Sequence, residues 1–573
     1  MSMLYAVGVL LLGAAWLQPL HVLPWVSWHS EVLAFLGILL VAASELLRKP
    51  QHNVQVKTAL LPASSVILFA LIGILILQYS IGLIGFLGDF VVTFFYLTVG
   101  ISAMGAGFAV TSRQGSDLPQ QARTLSHVHV FALAVLGAAA CSAVVALVQA
   151  FDVWDGAEWV NRMAGYRRPG ANMGQPNHLA TLLVMGLASL ALLFESGKLR
   201  ALAAFTLLGV LVLGVAITES RSGVLSILVL LLWWVASRRV AGLKASTSAI
   251  AAGCIWLIAS LWAWPPLLEY VHAGGLTADA PYASVNIAAG TRLVVWPQMV
   301  AAALQKPWLG WGLREVSAAH NAVLDAYPTS EPFTYAHNIL LDLTIGIGGP
   351  LALLFTVLTS IWLVRRIRAA RELLPWFCVA LLIPVGVHSL FEYPFAYAYF
   401  AFPALFAVGM LDGLLKPNAS ISINRFAATA VVGSLSMVMA WTVWEYIQLE
   451  EDFRVTRFEV LRIGRTPVDY ERPSIYLLTQ LAAMTEVSRM VPAPGMADAN
   501  IELARRAALR FPWVAIQHRY ALSLALNGNP DEAIRQLKVM RAMHGGKSFE
   551  GIRANWKDLA DTKYPQLGQL QLP

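Results

Sequence analysis

Histidine and asparagine stand side by side at positions 337 and 338, where a long polar stretch ends and an apolar segment begins. Polar groups at the mouth of a membrane helix cost free energy unless they are used. We therefore expect His337 and Asn338 to belong to a functional site. Asp342 and the glycines at 348 and 349 lie deeper in the same segment and need no role beyond satisfying the hydrogen bonds of a helix or packing it.

Six arginines lie in segments where the positive-inside rule does not call for basic residues. They are Arg162, Arg167, Arg168, Arg221, Arg292 and Arg314. The rigid fork of guanidinium donors suits phosphate oxygens. Any one of these arginines could instead pair with a nearby carboxylate or face water. As a set, they predict a site for a polyanion.

Amide and imidazole side chains cluster in residues 168–178, just before an apolar segment. They are Asn172, Gln175, Asn177 and His178. The glycines and prolines between them impose turns, while the polar side chains supply hydrogen bonds. A loop that caps the start of a helix explains the same composition. The turn at 219–223 likewise admits a plain structural interpretation.

Another histidine, His388, precedes Glu392 by four residues at the end of a later apolar segment. Side chains at this spacing can touch if the helix continues through both positions. The pair predicts a further polar group at the same membrane face as residues 168–178.

The composition fixes the environment in which these side chains act. Hydrophobic residues make up 58% of the 573 residues, charged residues only 13%, and the mean hydropathy is +0.63. Soluble domains contain roughly 25% charged residues, so the chain is predicted to be a polytopic membrane protein. The net charge of +7 does not indicate nucleic acid, because most basic residues lie in short loops. The three cysteines fall in apolar runs and predict neither disulfides nor a thiolate metal site.

About thirteen apolar runs approach the roughly 17 to 25 residues that a spanning helix needs. They cover residues 3–17, 32–47, 60–79, 90–110, 128–151, 179–194, 202–217, 224–236, 250–264, 339–364, 375–391, 395–415 and 427–446. The first run has neither a basic leader nor a clear cleavage site, so we expect a retained span. The predicted fold class is an all-α membrane helix bundle.

Lysine and arginine are concentrated in every second loop, as the positive-inside rule requires. This pattern places the N-terminus in the cytoplasm and the tail after Tyr446 outside. The outer face then carries residues 168–178, the turn at 219–223 and His337. We expect a transmembrane domain over 1–446, with a large outer loop over 265–337, and a helical domain over 447–573.

Two outer segments invite a specific structural interpretation. Within the large loop, residues 291–305 have apolar positions at helical spacing, which is typical of an amphipathic helix on the membrane surface and equally of ordinary packing. In the tail, the pattern of helix, break, helix, turn and helix over 501–543 resembles one tetratricopeptide repeat. A single repeat must pack on neighbouring helices, so the tail is expected to contact protein.

Four motifs, taken in order, resemble those of the Wzy/WaaL superfamily of lipid-linked glycan ligases and polymerases. They are Asn172-x-Gly174-Gln175-Pro176-Asn177-His178-Leu179-Ala180-Thr181, Ser220-Arg221-Ser222, Pro307-x-Leu309-Gly310-Trp311-Gly312 and Ala336-His337-Asn338. The loop at 19–31, Gln78, Gly88-Asp89 and the helical tail are more specifically similar to bacterial PglL-type protein O-oligosaccharyltransferases. The resemblance spans nearly the whole chain, and the tail is its weakest part.

The resemblance implies transfer of a glycan from undecaprenyl pyrophosphate to a serine or threonine hydroxyl of an exported protein, such as a pilin, at the periplasmic face of the bacterial inner membrane. The pyrophosphate leaving group needs charge stabilisation, for which we expect Arg168, Arg221 and Arg292. The acceptor hydroxyl must lose a proton, and an imidazole can take it; His337 is the candidate base.

The remaining polar side chains are expected to orient the donor or the acceptor. They are Asn172, Gln175, Asn177, His178, Asn338 and His388. The outer segments contain no acidic cluster with the spacing of metal ligands, so the sequence predicts a metal-independent reaction without a cofactor.

Two other functions remain open from the sequence. An O-antigen ligase or polymerase would use a sugar hydroxyl, on lipid A core or on another lipid-linked chain, as its acceptor. A transporter or flippase would use the outer arginines as a transient anion site. That function predicts charges near the middle of spans and inverted repeats, neither of which is clear in this sequence.

Overall fold

The structure, a computed structural model, describes residues 2–48, 58–112, 118–151, 153, 158–161, 168–271, 287–416 and 418–573, without the side chains of 118–123 and 287–291. Across these ranges the only strands are β1 (Thr58–Pro62) and β2 (Ser420–Asn424). They pair antiparallel, with Thr58 opposite Asn424. Helices form the rest of the regular structure, so the predicted all-α class is confirmed for the described part of the chain.

The helices before the large loop are mostly apolar along their whole length. They are α1 (Met3–Leu17), α2 (Trp28–Leu46), α3 (Val66–Ser80), α4 (Leu87–Thr111), α5 (Leu118–Phe151), α6 (Pro176–Glu195), α7 (Ala201–Ile217), α8 (Arg221–Ser237) and α9 (Thr247–Val271).

In the second half, mostly apolar helices precede the more polar helices of the tail. They are α10 (Ile287–Gln305), α11 (Val316–Asn321), α12 (Ile339–Ile347), α13 (Gly349–Ala369), α14 (Leu373–Ser389), α15 (Ala398–Leu415), α16 (Arg425–Leu461), α17 (Thr479–Arg489), α18 (Asp498–Arg510), α19 (Val514–Leu526) and α20 (Pro530–Thr562).

Nine helices of the described chain are long and apolar enough to cross a membrane: α2 to α6, α9, α13, α15 and α16. Four shorter apolar helices accompany them, α1, α7, α8 and α14. The chain is therefore a polytopic membrane protein. Each predicted span overlaps one of these thirteen helices, but the number that cross the membrane stays a prediction.

One predicted span was drawn too long at its start. The run at 339–364 is divided at Gly348, whose φ of +84° ends α12 before α13 begins. A Cβ at Gly348 would lie 2.3 Å from the carbonyl oxygen of Trp308. The backbone direction and this close approach both require glycine.

The residues fall into two compact units. The first comprises 1–70, 96–284 and 358–439, and the second comprises 71–95, 285–357 and 440–573. In the first unit α6 is central: α5, α7, α8 and α14 pack around it, and almost all its side chains from His178 to Leu193 are buried. The start of α6, which holds several candidate residues, thus rests on a rigid core.

In the second unit, residues 307–312 are fastened to the end of α12. The backbone N–H of Trp311 donates to Ile345 O at 2.7 Å. The Gln78 amide donates to Leu309 O (3.1 Å) and Gly346 O (2.7 Å) and accepts from Leu313 N (3.0 Å). The Pro-x-Leu-Gly-Trp-Gly motif and Gln78 therefore have a structural role here.

The tail helices build a core of their own with the end of α16. Phe453, Tyr520, Leu537 and Trp556 are among its buried members. Its helices α18, α19 and α20 coincide with the predicted helix, break, helix, turn and helix; likeness to a tetratricopeptide repeat stays a prediction. The buried carboxylate of Glu445 accepts the backbone N–H groups of residues 476–478 at 2.9 to 3.1 Å.

Candidate functional site

In the first unit, Asn177 links three elements that are far apart in the sequence. Its Oδ1 accepts the Ser220 hydroxyl at 2.8 Å and an N–H of Arg168 at 3.5 Å. Its Nδ2 donates to Glu392 Oε1 at 3.4 Å. The helix starts of α6 and α8 and the turn after α14 are thereby joined through one carboxamide.

One turn further into α6, Thr181 contacts the other candidate histidine. Its hydroxyl lies 3.0 Å from Asn177 O and 2.7 Å from His388 Nδ1. If the hydroxyl donates to the carbonyl, His388 donates to the hydroxyl from Nδ1. The neighbouring His178 ring is 5.6 Å from the His388 ring and packs edge-on against aromatic rings, including Tyr397 at 4.6 Å. His178 and His388 are both buried, so this polar group is held rigidly.

Two arginines, Arg168 and Arg221, lie beside the hydrogen bonds of Asn177. The Arg168 Nε donates to Thr218 O at 2.8 Å, which places its guanidinium beside the turn that contains Arg221. Burial lowers the pKa of Arg168 from its ordinary value, and the nearby charge of Arg221 lowers it further, against the opposing effects of Glu219 and Glu392. Arg221 is exposed. An anion bound here would relieve the repulsion between the two guanidinium groups.

The starts of α6 and α8 add partial positive charge to the same place. Gln175 caps α6 by accepting His178 N at 2.7 Å, and Ser220 caps α8 by accepting Gly223 N at 3.1 Å. Helix N-termini favour bound anions through their backbone N–H groups and dipole. The combination of two helix starts and two arginines suits a polyanionic ligand.

Asn172 has structural partners on both ends of its amide. Nδ2 donates to Leu17 O (2.7 Å) and Trp159 O (3.0 Å), and Oδ1 accepts Asn161 N at 3.1 Å. Its own carbonyl oxygen lies 2.5 Å from His21 Nε2. Asn172 therefore holds the loop that precedes α6, and a role in orienting a substrate remains a prediction.

His337 belongs to the second unit and sits in a constrained backbone. Its φ is +55°, a left-handed value that few non-glycine residues adopt. The carboxyl of Asp342 accepts the backbone N–H groups on both sides of it, from Ala336 at 3.0 Å and from Asn338. The Asn338 side chain caps α12 by accepting Leu340 N and Leu341 N. These bonds on either side of it thus hold the backbone of His337 in place.

A ring and a neighbouring helix complete the surroundings of His337. Phe333 meets the imidazole edge-on, with 4.7 Å between ring centroids. Trp296 of α10 donates its indole N–H to Ala336 O at 2.9 Å. Arg292 lies one helical turn before Trp296 on α10, which places it on the same face of the helix. The contact between α10 and the segment just before α12 therefore positions both Arg292 and His337.

The other unexplained arginines have different outcomes. Arg314 lies 3.7 Å from the buried carboxylate of Asp89, which also accepts two N–H groups of Arg510 at 2.9 Å. The ordinary ion-pair interpretation fits Arg314. Arg162 and Arg167 lie outside the described residues, as do residues 272–286 of the large loop.

The structure adds Thr181, Ser220, Glu392 and Asp342 to the residues chosen from the sequence. Ser220 and Thr181 belong to the motifs that carry the family resemblance, and Glu392 follows His388 by four residues. The sequence therefore pointed to all three positions. For Asp342 the sequence predicts only a role in satisfying or packing the helix, and its carboxyl accepts backbone N–H groups just before α12. No group of three metal-ligating side chains is found among the described residues; metal independence stays a prediction.

Comparisons with known proteins give consistent matches along the chain. Residues 169–194 match a family described as protein glycosylation ligase, residues 203–356 one described as O-antigen ligase, and residues 376–557 one described as virulence factor membrane-bound polymerase, C-terminal.

Two curated proteins of Acinetobacter baylyi are similar over much of their length. A general O-oligosaccharyltransferase is 24% identical over 95% of this chain and 92% of its own. A ComP-specific O-oligosaccharyltransferase is 26% identical over 73% of this chain and 72% of its own.

Proposed function

We propose that the chain transfers a glycan en bloc from undecaprenyl pyrophosphate to serine or threonine hydroxyls of exported proteins. The premise is that it is a PglL-type relative of the O-antigen ligases, which these matches support. Both relatives are named O-oligosaccharyltransferases. The enzyme is a glycosyltransferase that needs neither metal nor cofactor. Its partners are the lipid-linked oligosaccharide, membrane lipid and an exported acceptor protein of the pilin type.

The observation that carries the proposal is the pair of arginines at two helix starts. Arg168 contacts Asn177 in the first turn of α6 and Thr218 just before α8, and Arg221 is the first residue of α8. A pyrophosphate is a ligand with the charge and oxygen geometry to use all of these donors. We assign Arg292 the same task.

The reaction then proceeds in one displacement. The acceptor oxygen forms a bond to the anomeric carbon while the bond from that carbon to the pyrophosphate oxygen breaks. The bonding electron pair leaves with the pyrophosphate, where the arginines stabilise the charge. The hydroxyl proton passes to the imidazole of His337 and from there to water. Asp342 and Asn338 contribute by fixing the backbone around His337.

The remaining candidates orient the reactants. Asn177 holds Arg168 through a hydrogen bond and His388 through Thr181. Asn172, Gln175 and His178 keep the approach to α6 in one conformation, and Asn338 does the same for α12. In this proposal their hydrogen bonds keep the charged groups in place for donor and acceptor.

The proposed placement is the bacterial inner membrane, with about thirteen spans. The N-terminus is cytoplasmic, and residues 168–178, 219–223 and 337 face the periplasm. The domain over 1–446 carries the transfer reaction, and the tetratricopeptide-like tail over 447–573 is periplasmic and contacts protein. The test is a reporter that works only in the cytoplasm, fused after residue 573. We expect it to be inactive, and activity of the fusion would contradict this orientation.

The second candidate function is that of an O-antigen ligase or polymerase, which the match of residues 203–356 keeps open. It shares the donor and differs in the acceptor, a sugar hydroxyl on lipid A core or on a lipid-linked chain. The experiment that distinguishes the two functions supplies purified protein with lipid-linked glycan and three acceptors together: a pilin-type protein, lipid A core and a lipid-linked chain. Glycosylated pilin-type protein supports the proposal, and modification of the lipid acceptors alone supports the ligase or polymerase.

A further inference from the structure

We propose that the cleft between α8 and α9 holds the polyprenyl chain of the donor lipid, with Arg221 at the pyrophosphate end. This inference rests on the proposed function and names how that donor is recognised. The cleft consists of two cavities, of about 400 and about 460 Å³, that follow one another along these two helices. We call the two together the α8–α9 cleft.

The cleft exists because its two walls pack on different neighbours. Helix α8 packs on α6 and α14, whereas α9 packs on α7; Trp256 of α9, for example, donates to Gly209 O of α7 at 2.9 Å. Over their described lengths α8 and α9 have no extensive contact with each other. Helix α7 lies behind them and closes the cleft from the inside, through residues such as Leu208, Val212 and Ala216.

The two cavities are continuous in register on all three helices. The first is lined by Ala216, Leu228 and Leu261. The second is lined by Val212, Ile227 and Leu257. These positions lie one residue or one helical turn apart on α7, α8 and α9 respectively. The second cavity therefore begins where the first one ends.

The length of the cleft decides which lipid fits it. Lining residues run along α8 from Arg221 to Trp234, most of a 17-residue helix that is about 26 Å long at about 1.5 Å per residue. A phospholipid acyl chain covers one leaflet, about 15 Å of a hydrocarbon core of about 30 Å. A polyprenyl chain is long enough to occupy both cavities.

One end of the cleft carries polar and charged groups that suit a pyrophosphate. At one end Arg221 and Ser220 line the first cavity. At the other end the loop before α9 is held by Glu195, whose carboxylate accepts Lys244 N at 2.6 Å and Ala245 N at 2.8 Å. Leu225 and Leu228 expose more than a third of their surface to the outside, so a lipid can enter sideways.

The test compares two pyrophosphates with the same headgroup and different chains. Full-length protein in phospholipid nanodiscs is titrated with undecaprenyl pyrophosphate and with the short farnesyl pyrophosphate. Gly253→Leu fills the second cavity, and its Cβ would meet only ordinary contacts with Leu208 at 3.5 Å or more. Ala204→Leu fills the same cavity from α7. Ile258→Phe, at a position on α9 with 67% exposure outside the cleft, is the matched control.

The expected result is a loss of affinity for undecaprenyl pyrophosphate of about tenfold in each filled variant, the equivalent of about two displaced CH₂ groups. Affinity for farnesyl pyrophosphate stays unchanged, and Ile258→Phe behaves as the parent protein. Unchanged binding of the long chain in both folded variants overturns the inference, as does an equal loss for both ligands. If the parent protein also glycosylates its acceptor, the proposed function survives that failure; if it binds neither pyrophosphate, both fail.

Discussion

The Asn177 carboxamide accepts the hydroxyl of Ser220 at 2.8 Å across 43 residues of sequence. This bond ties the first turn of α6 to the residue that caps α8. The same oxygen receives an N–H of Arg168, so the position of one guanidinium depends on the junction of two helices. The packing of α6 against α8 therefore determines where the positive charge of Arg168 lies.

Replacement of Asn177 by alanine should impair transfer more than stability. Ser220 keeps its bond to Gly223, and Arg168 keeps its bond to Thr218, so the fold survives while the guanidinium loses one of its anchors. We expect kcat/KM to fall at least about tenfold. Asn424→Ala is the control, because Asn424 caps α16 and should lower stability by about 1 kcal/mol without affecting transfer. Equal losses of transfer in both variants would argue against a positioning role.

Arg168→Lys should not preserve activity although it preserves charge. Lysine lacks the planar fork that lets Arg168 contact Thr218 O and Asn177 together and still offer a donor to a phosphate oxygen. We expect a loss in kcat/KM of about tenfold to hundredfold. The exposed Arg371 in the loop before α14 serves as control, and its lysine variant should match the parent protein. Full activity in Arg168→Lys would mean that charge alone suffices.

The stability of the fold around α12 should depend on pH through Asp342. Burial raises the pKa of Asp342 to about 7 from 3.8, against two backbone hydrogen bonds that lower it. Between about pH 4 and pH 7 the folded chain therefore keeps a proton that the unfolded chain has lost, and the free energy of unfolding falls as pH rises.

Asp342→Asn tests this dependence, since an amide oxygen can still accept the backbone N–H groups beside His337. We expect Tm of the parent protein to fall by a few degrees more than that of the variant between pH 5 and pH 8, in thermal unfolding followed in detergent. Parallel curves for the two proteins would contradict the assignment.

Gly348→Ala should destabilise the protein, whereas Gly349→Ala should not. The first position has a φ of +84° and would bring its Cβ to 2.3 Å from Trp308 O, but a Cβ at Gly349 meets nothing nearer than 3.7 Å. Strain of this kind costs about 1 to 3 kcal/mol. Thermal unfolding of the two variants side by side is the measurement, and equal Tm values would show that the loop adjusts without cost.

Much of the architecture could be predicted, because a membrane demands long apolar helices and the sequence provides them one by one. The break at Gly348 was missed for a physical reason: residues 339–364 are mostly apolar on both sides of it, and hydropathy does not report a positive φ or the approach of the Trp308 carbonyl. Capping at Ser220 and Asn338 was accessible, since both residue types favour helix starts.

The hydrogen-bond partners within the site could not be predicted. Thr181 meets His388 across 207 residues, and Asn177 meets Glu392 across 215. Such pairs follow from how α6 and α14 pack, which no local pattern encodes. Arg314 shows the opposite problem, because its sequence position resembled that of Arg168 while its partner, Asp89, became evident only from the fold.

The central claim is transfer of the glycan to a protein hydroxyl with release of undecaprenyl pyrophosphate. The most direct measurement is a single-turnover reaction of purified protein in nanodiscs with lipid-linked glycan and a serine-bearing acceptor, in which both products are quantified. We predict one equivalent of released pyrophosphate for each glycan on the acceptor, no product with the acceptor's serine changed to alanine, and loss of at least about hundredfold in rate for folded His337→Ala. Undiminished transfer by His337→Ala, or pyrophosphate release without glycosylated acceptor, would contradict the account.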